Sequence, residues 1–189
     1  MAIETRTRIS GEVYERLALA EPDRKWELHD GYPREKPGMT AAHNDLEVKL
    51  GYMLMSQLDR SEYHVRIDAG RVHRPGAIYY IPDVFVVPTA FVTPLLVQHD
   101  VLEVYDQPLP LVVEVWSRST GDYDVGEKLA VYQQRGDLEI WRIHPYERTL
   151  TAWRRLPDGS YEETIYREGS VGPTALPGVE IDLAALFDM

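Results

Sequence analysis

The chain alternates between two hydrophobic periods, and the switches between them mark its elements. Ser10 followed by Val13, Leu17 and Ala18 predicts a short capped helix. Trp26-Glu27-Leu28-His29 reads as a short strand ended by the turn pair Asp30-Gly31, and Pro33, Pro37 and Gly38 predict a loop after it. Thr40 then caps a long helix over residues 41–59, whose apolar stripe is Ala42, Leu46, Leu50, Met53, Leu54 and Leu58. From His64 to His73 the period falls to two, through Val65, Ile67 and Ala69, which predicts one half-exposed strand. Arg74-Pro75-Gly76 breaks it, and Ile78 to Val87 supplies a strand region interrupted by Pro82. Residues 88–110 read as a long connection with room for a short helix.

Leu111 to Trp116 is a nearly continuous apolar run, the pattern of a central buried strand. Ser117 and Ser119-Thr120 suit the turn that follows. Asp122 to Arg135 reads as a helix stopped by Gly136, with Asp124 and Glu127 spaced as a capping box. Leu138 to Ile143 is another buried strand. Leu150–Trp153 and Tyr161–Tyr166 flank Pro157-Asp158-Gly159-Ser160, a hairpin signal, and Leu183 to Phe187 is a closing helical turn. The order is α-β-α, several strands, β-α-β and a hairpin. It predicts one mixed α/β (α+β) domain over residues 1–189, a central mixed sheet flanked by helices.

Composition narrows the chemistry. The 189 residues hold 31 acids against 20 bases, a net charge of −11 that is spread along the chain without an acidic or basic tail. That balance argues against a protein that grips nucleic acid or membrane by broad electrostatics. The chain has no Cys, which removes disulfides, thiol catalysis and cysteine zinc sites. No apolar stretch approaches the ~20 residues of a membrane span, and Met1 to Ser10 lacks the apolar run of a signal peptide. A cytoplasmic protein is the expectation. There is no P-loop, dinucleotide fingerprint, Gly-x-Ser-x-Gly elbow or zinc-type His pair.

Polar residues in apolar company carry the functional signal. Glu114 sits inside Leu111-Val112-Val113-Glu114-Val115-Trp116, where a carboxylate is costly unless paired, metal-bound or at an opening of the sheet. An edge position or a structural salt bridge is the plainer reading. Lys128 lies on the side of its helix marked by Val125, Leu129 and Tyr132, with snorkelling to the rim as the alternative. Asp83 follows Pro82 at a strand boundary, ordinary turn chemistry when taken alone. Two carboxylates on neighbouring strands and a Lys from the next helix form a different object. Hard divalent cations take carboxylate oxygens, and a nearby ammonium orients water and stabilises phosphoryl charge. The combination suits metal-assisted phosphodiester hydrolysis.

Five segments in order, Trp26 to Gly31, Ile81-Pro82-Asp83-Val84, Leu111 to Thr120, Asp124 to Leu129 and Glu139-Ile140-Trp141, resemble the Uma-two family of restriction-endonuclease-like proteins. That family is a branch of the PD-(D/E)xK nuclease fold, and the likeness runs from about Tyr14 to Leu176-Pro177-Gly178 and the final Leu183 to Phe187. The resemblance implies a restriction-endonuclease-like core and a Mg²⁺ or Mn²⁺ site, with Asp83 and Glu114 as metal ligands. The Lys usual two residues after Glu114 is replaced by Trp116, which points to Lys128 as a migrated equivalent. Glu27 matches a family Glu and is a further acidic candidate, with an outward-facing strand residue as the plain reading. His43 also has a family counterpart, although a lone His in a first helical turn is more often a surface residue. Tyr79-Tyr80 and Trp116 are candidates to stack on bases, with packing the simpler role. The implied function is a Mg²⁺-dependent endodeoxyribonuclease, with Asp83, Glu114, Lys128 and Glu27 catalytic, DNA as substrate and a homodimer to cut both strands. The alternative is a non-catalytic nucleic-acid or protein interaction module on the same fold. A hydrolase of small phosphorylated molecules is the third reading.

Overall fold

The capping hydroxyls act where the pattern places them. Ser10 Oγ accepts the Val13 N–H at 3.3 Å and opens α1 (Gly11–Ala20), and Thr40 Oγ1 accepts the His43 N–H at 3.3 Å and opens α2 (Ala41–Gln57). The computed structural model describes residues 7–118 and 121–188, the side chains of 121–125 excepted. Strands β1 (Trp26–His29), β2 (Tyr32–Glu35), β3 (Tyr63–Ile67), β4 (Arg71–Arg74), β5 (Ile78–Tyr80) and β6 (Val84–Pro88) precede the short helix α3 (Thr89–Leu96). Strands β7 (Val104–Tyr105) and β8 (Leu111–Val115), helix α4 (Gly121–Arg135), then β9 (Glu139–His144), β10 (Thr149–Arg155), β11 (Tyr161–Tyr166), β12 (Ser170–Val171), β13 (Ile181–Asp182) and α5 (Leu183–Leu186) complete the chain.

The strands build two principal sheets where the sequence suggests one. The smaller runs β2-β1-β5-β4-β7, the larger β11-β10-β9-β8-β6-β3, and β12 pairs with β13 separately. The strand expected from His64 to His73 splits at Asp68 and Gly70, whose φ angles of 48° and 71° turn the chain. Its first half joins the large sheet and its second half the small one. Pro82 divides β5 from β6 in the same way. Alternation records that residues are extended, and it carries no information about which sheet they join. β2 was hidden by Pro33, which an edge strand tolerates because a missing N–H there breaks no ladder.

One face of the large sheet, through Val84, Val86, Val113 and Trp141, packs on Leu46, Leu50 and Leu54 of α2 and on Leu183 and Leu186 of α5. The other face, through Phe85, Val87, Val112 and Ile140, packs on Val131 and Tyr132 of α4 and on Tyr80 and Tyr105 of the small sheet. In α1 the buried residues are Tyr14 and Ala18, whereas Val13 is exposed, so the core face is turned from the one expected. α4 begins at Gly121, so Asp124 lies inside the helix and is not its cap; its side chain, that of Val125, and residues Ser119 and Thr120 lie outside the described residues. Gly136 ends α4 at φ +78°, with Asp137 N–H bonding back to Tyr132 O at 3.1 Å, a Schellman closure. Among the described residues, no helix is long and apolar enough to cross a membrane.

Candidate active site

Asp83 occupies the point where the chain leaves the small sheet for the large one. The β6–β8 ladder ends at Val84 opposite Val113, and beyond it the Asp83 side chain continues the pairing: Oδ2 accepts the Val115 N–H at 2.6 Å. Oδ1 accepts from Lys36 Nζ at 2.7 Å, and Oδ2 lies 3.2 Å from His43 Nε2. Lys36, on the segment after β2, also donates to Asp68 at 2.8 Å and to Ile81 O at 3.1 Å. Burial works to raise the Asp83 carboxyl, but Lys36, then His43 and Lys128, hold it well below the usual carboxylate range. Burial works to strip Lys36 of its proton, yet Asp83, Glu114, Asp68 and Glu27 raise it well above its ordinary value. This pair is charged and tight.

Glu114 lies on the α4 side of the sheet. The Tyr132 hydroxyl donates to its Oε1 at 2.5 Å, and Lys128 Nζ stands 3.3 Å from the same atom. Lys128 is buried at 4% exposure, so its amine does not snorkel to water. It donates to Glu27 Oε1 at 2.9 Å and lies 5.5 Å from the centre of the Tyr80 ring. Glu27 Oε1 also accepts the Ile81 N–H at 2.8 Å, and its Oε2 is 2.9 Å from His29 Nε2. Burial pushes Glu27 up, but Lys128, His29 and Lys36 hold it at about 2. Burial pushes Glu114 up most, Lys128 opposes, and the charge of Asp83 adds, leaving it at about 7. Lys128, despite burial, is raised by Glu114 and Glu27 and keeps its proton.

A third part of the cluster comes from α2. His43 and Glu47 are one turn apart, share the helix face of Leu46, Leu50 and Leu54, and are both buried. Their ligand atoms and that of Asp83 all lie within 4.8 Å of one another. His43 Nδ1, His43 Nε2 and Glu47 Oε1 are buried without a well-aligned hydrogen bond: His43 Nδ1 stands 3.5 Å from Glu47 Oε1 and His43 Nε2 3.2 Å from Asp83 Oδ2, both at ion-pair range. Glu47 is pushed up to about 8 by burial first and by the charge of Asp83 second, so this corner of the site is short of positive charge. Buried polar atoms without a hydrogen bond are rare in folded proteins. Carboxylate oxygen and imidazole nitrogen suit a divalent cation.

The structure therefore brings Asp83, Lys128 and Glu27 into one buried cluster with the partly buried Glu114, and His43 lies beside them. Glu114 is not in the compact donor group around Asp83; it is held by Lys128 and Tyr132. The sequence left out Glu47, Lys36, His29 and Tyr132. Glu47 carries the same signal that singled out Glu114, a charge on the apolar face of its element. Lys36 had no such signal, since it lies in a Pro- and Gly-broken segment with no period to violate.

Two comparisons bear on what this cluster belongs to, and a search of curated proteins finds no match. The solved structure of a "putative nuclease belonging to DUF820 from Anabaena variabilis ATCC 29413" is similar, with a TM-score of 0.71 at 15% identity over 86% of this chain and 89% of that one. At that identity the likeness speaks for the fold, the restriction-endonuclease-like arrangement of mixed sheets flanked by helices. Residues 12–184 match the family described as "Uma2: Putative restriction endonuclease", and the chain belongs to that family.

Proposed function

We propose that the chain is a divalent-metal-dependent endonuclease that hydrolyses phosphodiester bonds of DNA. Family and neighbouring structure support a nuclease, and one observation carries the finer reading. Three carboxylates (Glu27, Glu47 and Asp83), two lysines and two histidines are buried together with the partly buried Glu114 beside them, and three donor atoms next to Asp83 lack a well-aligned hydrogen bond. A salt-bridge network built only for stability would align those contacts into hydrogen bonds. Asp83 and Glu114 are the carboxylates assigned to Mg²⁺ or Mn²⁺, with His43 and Glu47 extending the donor set on the α2 side. When bound, the cation supplies Lewis-acid polarisation of a phosphoryl oxygen.

The remaining roles follow from charge state and contact. Lys128, held protonated by Glu114 and Glu27, is a donor and not a base: it orients the attacking water and stabilises phosphoryl charge. Glu27 is a positioning residue, since its carboxylate fixes the amine while Ile81 N–H fixes the carboxylate. Tyr132, one turn further along α4, donates to the same Glu114 oxygen that Lys128 approaches. A homodimer would present two such sites to the two strands of a duplex.

A specific observation favours a second reading, a non-catalytic interaction module. Lys36 already neutralises Asp83 Oδ1, and Trp116 stands where the family Lys is usual. Titration calorimetry separates the two. The nuclease reading expects Mn²⁺ binding that Glu114→Ala weakens, while a relic site binds no ion. The function itself is tested on supercoiled plasmid: nicked circles with Mg²⁺ or Mn²⁺ and none in EDTA support it. Intact plasmid under every divalent ion rejects it.

A further inference from the structure

We propose that the open face of the large sheet beside Glu114 is a stacking platform for an unpaired stretch of the nucleic-acid strand, DNA in the reading above, with Trp116 as its anchor. The inference rests on the nuclease reading and extends it to the form of the substrate. Glu114 and Trp116 are two residues apart on an extended chain, so both side chains leave the same face. The Trp116 N–H bonds Ile143 O at 2.8 Å, which carries the parallel β8–β9 ladder past Val115 and sets Trp116 beside His144. Glu114 itself is in register with Arg142. The platform thus begins where the candidate catalytic carboxylate ends.

Its surface is aromatic, and its charges balance, two Arg against two Glu. The indole of Trp116 stacks on the His144 ring, centroids 4.3 Å apart and planes at 23°, and Tyr146 stands edge-on to Trp116 at 6.0 Å. β10 and β11 extend the same face with Trp153 and Ile165, and these, with Arg167 just past β11, enclose with Trp116, Arg142 and His144 a groove of about 490 Å³. That size falls within the range of sites for small organic ligands, enough for a nucleotide. Tyr146 at 62% and Ile165 at 53% exposure leave large apolar surface in water.

Charge and geometry select the occupant. Arg167 offers a planar guanidinium group for a phosphate in a chain whose average surface is acidic. The groove's two acids keep their charge, Glu163 while accepting the Trp153 Nε1–H at 2.7 Å and Glu147 at 3.9 Å from His144 Nε2. This is too little positive charge to hold a duplex by its backbone, and a duplex keeps its base faces covered. An unpaired base offers a π-face to Trp116, and stacking of that kind tolerates any sequence. A strand seated there leads its next phosphate towards Glu114 and Lys128.

The test is fluorescence anisotropy with a labelled 12-nucleotide single strand, in EDTA so that no cleavage intervenes. The expected result is single-strand binding at least about 10-fold tighter than that of the matching duplex. Trp116→Ala should weaken it about 10-fold, and Trp116→Phe should retain most of it. Duplex binding as tight as single-strand binding, or unchanged affinity in Trp116→Ala, overturns the platform. An RNA of the same sequence that binds more tightly than the DNA overturns it as stated. Plasmid nicking is scored separately: Trp116-dependent binding without cleavage rejects the nuclease reading and keeps the platform, and cleavage with Trp116-independent binding does the reverse.

Discussion

Glu47 shows what burying a carboxyl among like charges costs in stability. Its carboxyl is raised from the usual 4.5 to about 8, so the folded protein binds a proton there that the unfolded chain has lost. The stabilisation is complete below about pH 4 and fades as the pH rises through about 8. Glu114, at about 7, acts with the same sign. Asp83 and Glu27, held low, act oppositely, and their contribution is lost as the pH falls below about 4. Glu47→Gln should therefore flatten the decline of the thermal midpoint between about pH 5 and 9 in EDTA, and a decline as steep as the wild type's would contradict it. Lys128→Met strands Glu27 in the interior and should cost about 3–5 kcal/mol, roughly 6–20 °C in midpoint for a chain of this size. In the double variant with Glu27→Gln the loss should be smaller than the sum of the two single losses, because the two residues share one contact. At this scale the sequence exposed charges that violate an apolar period, Glu114 and Lys128 among them. The same rule reaches Glu47, and it fails for Lys36, whose segment has no period.

At the scale of elements, the site depends on where chains cross between sheets. Asp83 follows Pro82 at one crossing, and Asp68, which binds Lys36, stands at the other. Both breaks were visible as turn chemistry in the sequence, but the exchange of sheets was not, because strand pairing is a long-range choice. The helices were more legible, since caps and the 3.6-residue stripe are local. Helix α4 presents Lys128 and Tyr132 to Glu114, and Gly136 fixes its end. Gly136→Ala has room for its methyl, with the nearest side-chain atom 3.7 Å away, so only the left-handed backbone is penalised. The expected cost is about 1–2 kcal/mol, roughly 2–8 °C in midpoint by calorimetry, with plasmid nicking retained. A midpoint equal to that of the wild type would contradict the Schellman closure as a source of stability.

For the whole molecule, the arrangement resolves an apparent conflict between charge and substrate. A net charge of −11 is a poor foundation for holding DNA by its backbone. Yet several of those acids are buried with lysines in the cluster around Asp83, where a bound cation would reverse the field that a phosphate meets. Two sheets, α2 and α4 converge on that cluster, and the aromatic face beside Glu114 supplies contact that does not depend on net charge. The most direct test compares Asp83→Asn with the wild type in Mn²⁺ on supercoiled plasmid, with near-ultraviolet circular dichroism confirming that both are folded. The account predicts nicking by the wild type and none above background by the variant; equal nicking by the two would contradict it.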